Sequence, residues 1–113
     1  MVAIPTSLVT ACAEVDDTLH QKSRLAIMAA LAANGETGFG QLKEILGLTD
    51  GNLSTHLSVL ERKEYVEIEK SFRGRRPHTV VRSTEKGRLA FAEYLAALGR
   101  IVAEAKGCLG GGQ

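Results

Sequence analysis

Four basic residues crowd one short stretch, Lys70, Arg73, Arg75 and Arg76, with Gly74 among them and Pro77 at its end. Guanidinium and ammonium groups at that density attract polyanions, and a basic loop can carry them to phosphates or into a narrow groove. Upstream, Gly51, Asn52, Ser54, Thr55 and Ser58 are small or polar and uncharged, and Arg62 follows them. With Leu53, Leu57 and Leu60 turned inward at about 100° per residue, they fall on the outward side of one helix, Asn52 at its flank. Hydroxyls and amides there can hydrogen-bond base edges, Asn pairing with adenine through both amide atoms. Gly51 lets the first amides of that helix approach a phosphate. A polar helix face and a basic run are each ordinary surface features. Their adjacency is what points to nucleic acid.

The elements that must hold these groups are legible in the apolar spacing. Leu25, Met28, Leu31 and Ala32 repeat at helical intervals within residues 18–33, with a break expected near Ser23 and a stop at Asn34-Gly35. A short helix over 41–46 turns Leu42, Ile45 and Leu46 inward, with Gly40 as its N-cap. Gly47-Leu48-Thr49 separates it from a third helix over 50–63, for which Thr49 is the natural cap. Two short helices joined by a Gly-containing three-residue turn make a helix-turn-helix. Residues 65–72 then alternate, Val66 and Ile68 against Glu67 and Glu69, and 78–83 supply a partner strand. Residues 73–77 form the hairpin loop, with Pro77 ending the pairing. Thr84 and Glu85 open a last helix reaching Ala105.

The expected fold class is therefore mainly α with a small β-hairpin wing: a winged helix-turn-helix with a long C-terminal dimerisation helix. Its parts are an N-terminal segment (1–15), a DNA-binding domain (16–83), the C-terminal helix (84–106) and a disordered tail (107–113). The chain has 113 residues, room for one domain, and its 14 Ala and 14 Leu favour helix and an aliphatic core. Net charge is only +1, yet residues 70–88 hold seven basic residues against Glu85 alone, a local +6.

Other functions find little support. Cys12 and Cys108 stand far apart without a CxxC pair, which indicates neither a disulfide framework nor a zinc site and suits a reducing cytoplasm. Ala11-Cys12-Ala13 faintly echoes a signal or lipid-attachment site, but Pro5, Thr6, Ser7 and Thr10 interrupt the apolar stretch before it. The longest apolar run, Ala26 to Ala33, is far short of the ~20 residues of a membrane span. Ser54 and His56 lie two apart on a helix, pointing ~200° from each other, so they cannot act as nucleophile and base. His20, His56 and His78 are scattered, without local partners in the sequence, and read as boundary or surface histidines. No catalytic residue, metal or cofactor is expected, and nothing identifies a small-molecule effector.

The last helix would run about 30 Å at ~1.5 Å per residue, more than so small a domain can cover. Phe91, Leu95, Leu98, Val102 and Ala105 repeat at seam spacing, and Tyr94 and Ile101 mark a neighbouring stripe. One stripe can cover the chain's own first helix and the other, with the N-terminal segment, a second subunit; the alternative is a single broad stripe packed entirely within one chain, aided by Leu8, Val9 and Val15. The expected interface is Phe91, Tyr94, Leu95, Leu98, Ile101 and Val102.

Several motifs together carry a family resemblance. They are Arg24-Leu25-x-Ile27, Phe39-x-x-Leu42, Leu48-Thr49-Asp50-Gly51-Asn52-Leu53-Ser54-x-His56-Leu57, Leu60-Glu61-x-Lys63, Gly74-Arg75-Arg76-Pro77 and Thr84-x-x-Gly87-Arg88. The chain resembles winged-helix transcriptional regulators of the MarR/ArsR kind, in a small single-domain branch, over residues 19–98. The resemblance implies a homodimer on a near-palindromic operator, expected as a repressor. The third helix would read bases while Arg75 and Arg76 grip the backbone or minor groove. Two positions depart from the pattern: Gly40 stands where a Ser or Thr cap is usual, and Glu64 where a helix end has Gly or Asn, which implies a left-handed backbone at Glu64. A metal sensor of this kind would carry paired Cys or a His/Asp cluster, and neither is present. The alternative is a winged helix used as a protein-interaction or RNA-binding module, which has no need of a concentrated basic wing.

Overall fold

The computed structural model describes residues 5–110, in the order α1 (Thr6–Ala13), α2 (Lys22–Asn34), β1 (Thr37–Gly38), α3 (Phe39–Leu46), α4 (Asp50–Arg62), β2 (Val66–Arg73), β3 (Arg76–Ser83) and α5 (Glu85–Leu109). The three strands form one antiparallel sheet in the order β1-β3-β2. This is the expected winged helix-turn-helix. Leu19, Ile27, Met28, Leu31, Leu42, Leu53, Leu57, Leu60, Tyr65, Val66, Val81 and Tyr94 make one core, drawn from α2, α3, α4, the sheet and α5.

Several boundaries move for identifiable reasons. Residues 18–21 are not helical, because the Asp16 carboxylate accepts from the amides of Thr18 and Leu19 at 2.8 and 3.1 Å and holds a turn. α2 starts at Lys22, where the Gln21 side chain accepts from the Arg24 amide at 2.8 Å. Its buried residues are Ile27, Met28 and Leu31, whereas Ala32 faces solvent. α3 begins two residues earlier than expected: Gly38, not Gly40, is the N-cap, and Gln41 Oε1 accepts from the Gly38 amide at 3.1 Å. Ile45, expected inside, is 60% exposed.

Both turns flanking α4 close by the same hydrogen-bond pattern. After α3, Gly47 takes φ +65° and the Leu48 amide reaches the Lys43 carbonyl. After α4, Glu64 takes φ +64°, the strained left-handed backbone the sequence implies there, and the amides of Glu64 and Tyr65 reach the carbonyls of Glu61 and Leu60. Between them Thr49 accepts from the Asn52 amide at 3.1 Å, the expected cap.

The wing is tighter than expected. Arg73 pairs with Arg76 across a two-residue turn, Gly74-Arg75, with Gly74 at φ +62°. Pro77 does not end the pairing; it lies opposite Phe72. A proline without an N–H is tolerated there because β1 flanks β3 only at Val80 and Val81, which leaves the outer half of β3 an edge. The two-residue β1, absent from the expectation, is too short to show an alternating pattern.

The N-terminal segment contains α1, which packs on α5 and buries Ala11. α5 runs on to Leu109, so residues 107–109 of the expected disordered tail are helical, while residues 111–113 lie outside the described ones. No described helix is long and apolar enough to cross a membrane.

Candidate nucleic-acid interface

α4 is anchored by Leu53, Leu57 and Leu60, each buried, so the remaining faces are fixed in direction. Gly51, Asn52, Ser54, Thr55, Ser58 and Arg62 are all exposed. Thr55 donates its hydroxyl to the Gly51 carbonyl at 2.9 Å, which leaves its methyl and an oxygen lone pair to face outward. Asp50, the one acid in the first turn, would repel a phosphate. Lys43 on α3 stands 2.9 Å from its carboxylate and offsets it while bridging the two helices of the motif.

Lys70 lies on β2 beside this face. It lines a cleft of about 230 Å³ together with Ser54 and Ser58 of α4 and Thr79 of β3. Lys70, Arg73, Arg75 and Arg76 are all exposed, and among the described residues none of them makes an ion pair. Their field is thus uncompensated over one end of the molecule.

The rest of the basic stretch behaves differently. Arg82 meets Glu69 at 2.8 Å, Glu36 at 2.9 Å and Glu67 at 3.6 Å. The hydrogen bonds to Glu69 and then Glu36 hold its guanidinium above its ordinary pKa. Lys86 pairs with Glu64 at 3.3 Å, and Arg88 donates to the Ser83 carbonyl at 2.7 Å. The local +6 of residues 70–88 is therefore not one patch: four free cations sit at the wing, and three others serve the scaffold.

Two of the three histidines also find partners that the sequence hides. His56 looks away from the exposed face of α4, with Nδ1 3.3 Å from an Arg24 guanidinium nitrogen, and Arg24 donates through Nε to the Thr18 carbonyl at 2.6 Å. Burial first and the Arg24 charge second push the His56 pKa below its ordinary value, so the neutral ring is the favoured partner. His20 Nδ1 meets the Tyr94 hydroxyl at 2.9 Å. Both contacts span residues remote in sequence, which no local pattern reveals.

A family model described as a winged helix DNA-binding domain matches residues 23–102. The chain belongs to that family. An uncharacterized protein of Methanocaldococcus jannaschii is 44% identical over 72 residues, 64% of this chain and 78% of that protein. A transcriptional regulator homologue from Pyrococcus horikoshii OT3 superposes with a TM-score of 0.79 at 31% identity, covering 89% of this chain and 98% of that one. The transcriptional repressor BigR from Xylella fastidiosa superposes with a TM-score of 0.59 at 27% identity, over 78% and 84% of the two chains. The expected kinship with winged-helix transcriptional regulators holds, and the match takes in α4, the wing and most of α5.

The winged helix thus brings the ten expected contact residues onto the exposed faces of two adjoining elements, α4 and the wing. The expected interface on α5 divides instead. Tyr94 is 3% exposed and engaged with His20 inside the chain, so it cannot serve a second subunit. Phe91 and Leu98 pack partly against the chain's own core and Ile101 is half-buried. Leu95 and Val102, seven residues apart on one side of α5, remain 48% and 49% exposed.

Proposed function

We propose that this winged-helix protein is a sequence-specific double-stranded DNA-binding regulator that works as a homodimer on a near-palindromic operator. The observation that carries the reading is the pairing of an uncharged hydrogen-bonding face on α4 with four exposed cations at the wing that have no carboxylate partner among the described residues. α4 would enter the major groove, where Asn52, Ser54, Thr55 and Ser58 meet base edges and Gly51 brings the helix start close to the backbone. Arg62 and Lys70 would take flanking phosphates, and Arg73, Arg75 and Arg76 the next backbone segment and minor groove.

Dimerisation rests on α5 and α1. The molecule measures 67 Å along one axis and 25 and 22 Å across the others, and α5 carries exposed Leu95, Val102 and Leu109. A two-fold pairing of such an arm buries these residues and sets two copies of α4 about one DNA turn, ~34 Å, apart. Acting by occupying its operator, the dimer is a repressor. Selection of duplexes from a random pool tests the reading: it should return near-palindromes with half-sites about one turn apart, and recovery of unrelated sequences would contradict it.

A further inference from the structure

Of the chain's five aromatic residues, Phe72 is the only one left open to solvent: it is 72% exposed, Tyr65 and Tyr94 are buried, and Phe39 and Phe91 are partly so. It stands on β2 one residue before the wing turn, directly across from Pro77. Side chains on a strand alternate, so Val66, Ile68, Lys70 and Phe72 share one face of β2, and their partners Val81, Thr79 and Pro77 share it on β3. That face begins in the core, with Val66 and Val81 fully buried. It passes Lys70 at the cleft beside Ser54 and Ser58, then becomes apolar again about 7 Å farther out, where none of the described residues covers Phe72.

Lys70 shares this face, Arg75 stands in the turn, and the paired Arg73 and Arg76 lie on the opposite face of the same two strands, all four exposed. The surface that complements an apolar patch at the tip of a cationic wing is a polyanion with apolar walls, which is the DNA minor groove with its deoxyriboses between two rows of phosphates. Resting on the DNA-binding reading above, we propose that Phe72, backed by Pro77, is a positioning residue that packs against the deoxyribose walls of the minor groove beside each half-site. The arginines hold the phosphates on either side. Phe72 would contribute affinity without base preference and without displacing counterions.

The test uses the full chain, Phe72→Ser and Phe72→Leu, with a duplex selected from a random pool and a mixed-sequence duplex, each titrated over a range of salt. An exposed site leaves folding intact, which equal melting temperatures of the three proteins check. Phe72→Ser should weaken both duplexes roughly tenfold or more, as loss of a buried aromatic contact does, with the slope of log K against log salt unchanged. Phe72→Leu should keep most of the affinity. Hydroxyl-radical cleavage, which reports on sugars facing the minor groove, should show protection flanking each half-site that disappears with Phe72→Ser. Unchanged affinity or retained protection in Phe72→Ser would overturn this inference alone. A weakened complex with a smaller salt slope would also overturn it, placing the effect on the arginines. A wild-type chain that binds neither duplex would overturn the DNA-binding reading and this inference with it.

Discussion

A Cβ placed on Gly87 would lie 2.0 Å from the carbonyl oxygen of Tyr65, so the first turn of α5 rests directly on the backbone that leads into β2. The same junction is tied by the Thr84 amide to the Tyr65 carbonyl at 3.0 Å and by the Thr84 hydroxyl to the Glu64 carbonyl at 2.6 Å. Through it the helix that would join two subunits is fixed to the wing.

This contact fixes the sign of a substitution. Alanine normally improves a helix interior over glycine by up to ~1 kcal/mol, and Gly99→Ala, with open space around its Cβ, should do so. Gly87→Ala on the same helix should instead destabilise by about 3 kcal/mol, the upper range for overpacking. Denaturant melts of the two variants check this; a stabilised Gly87→Ala would show that α5 does not dock as described.

Tyr65 makes stability depend on alkaline pH. Its hydroxyl donates to Asp16 Oδ2 at 2.5 Å, and burial first, then Asp16, push its pKa up to about 12 from 10.0. A folded pKa above the unfolded one means that the contribution is complete below pH 10 and is lost as pH rises from 10 through about 12. Tyr65→Phe should cost about 1–3 kcal/mol at neutral pH and flatten the fall in stability over that window. An equally steep fall in the variant would place the alkaline transition elsewhere.

Arginines only a few residues apart should behave unlike each other. Arg75→Ala should weaken all duplexes and reduce the salt slope by about two, because each subunit of the dimer loses a phosphate contact. Arg82→Ala should leave the slope unchanged, since its guanidinium already faces Glu36, Glu67 and Glu69. Equal slope changes would mean that the carboxylates do not keep Arg82 from DNA.

Assembly can be tested without removing the helix. Leu95→Glu combined with Val102→Glu alters only exposed positions of α5, so the chain should fold but sediment as a monomer, with operator affinity lower by orders of magnitude as the bivalent gain is lost. A wild-type chain that sediments as a monomer at micromolar concentration would contradict the dimer.

The fold and the outward faces were legible in the sequence because both follow from local periodicity. Leu53, Leu57 and Leu60 set the orientation of α4, and the alternation from Val66 to Glu69 marked a strand. Most of what was hidden depends on contacts between distant residues. Asp16 held residues 18–21 out of α2 through a local carboxylate turn, and its bond to Tyr65 crosses 49 positions. The three carboxylates on Arg82 come from β2 and from Glu36 just before β1, so a window count of charge could not separate Arg82 from Arg75. Tyr94 falls at seam spacing, yet His20 and the chain's own core take it up. Helical periodicity shows that a face is apolar and leaves open which neighbour covers it.

Within α4, specificity and affinity should separate. Asn52→Ala or Thr55→Ala should cost about 1–3 kcal/mol on a selected operator and little on mixed-sequence DNA. Equal losses on both would assign these residues to the backbone.

The most direct measurement is a titration of the intact chain against its selected operator and against mixed-sequence duplex over a range of salt. A dimer that neutralises about six phosphates should bind both with a log K against log salt slope of roughly −5, and prefer the operator by ~10³-fold or more. Binding that does not vary with salt, or equal affinity for the two duplexes, would contradict the account.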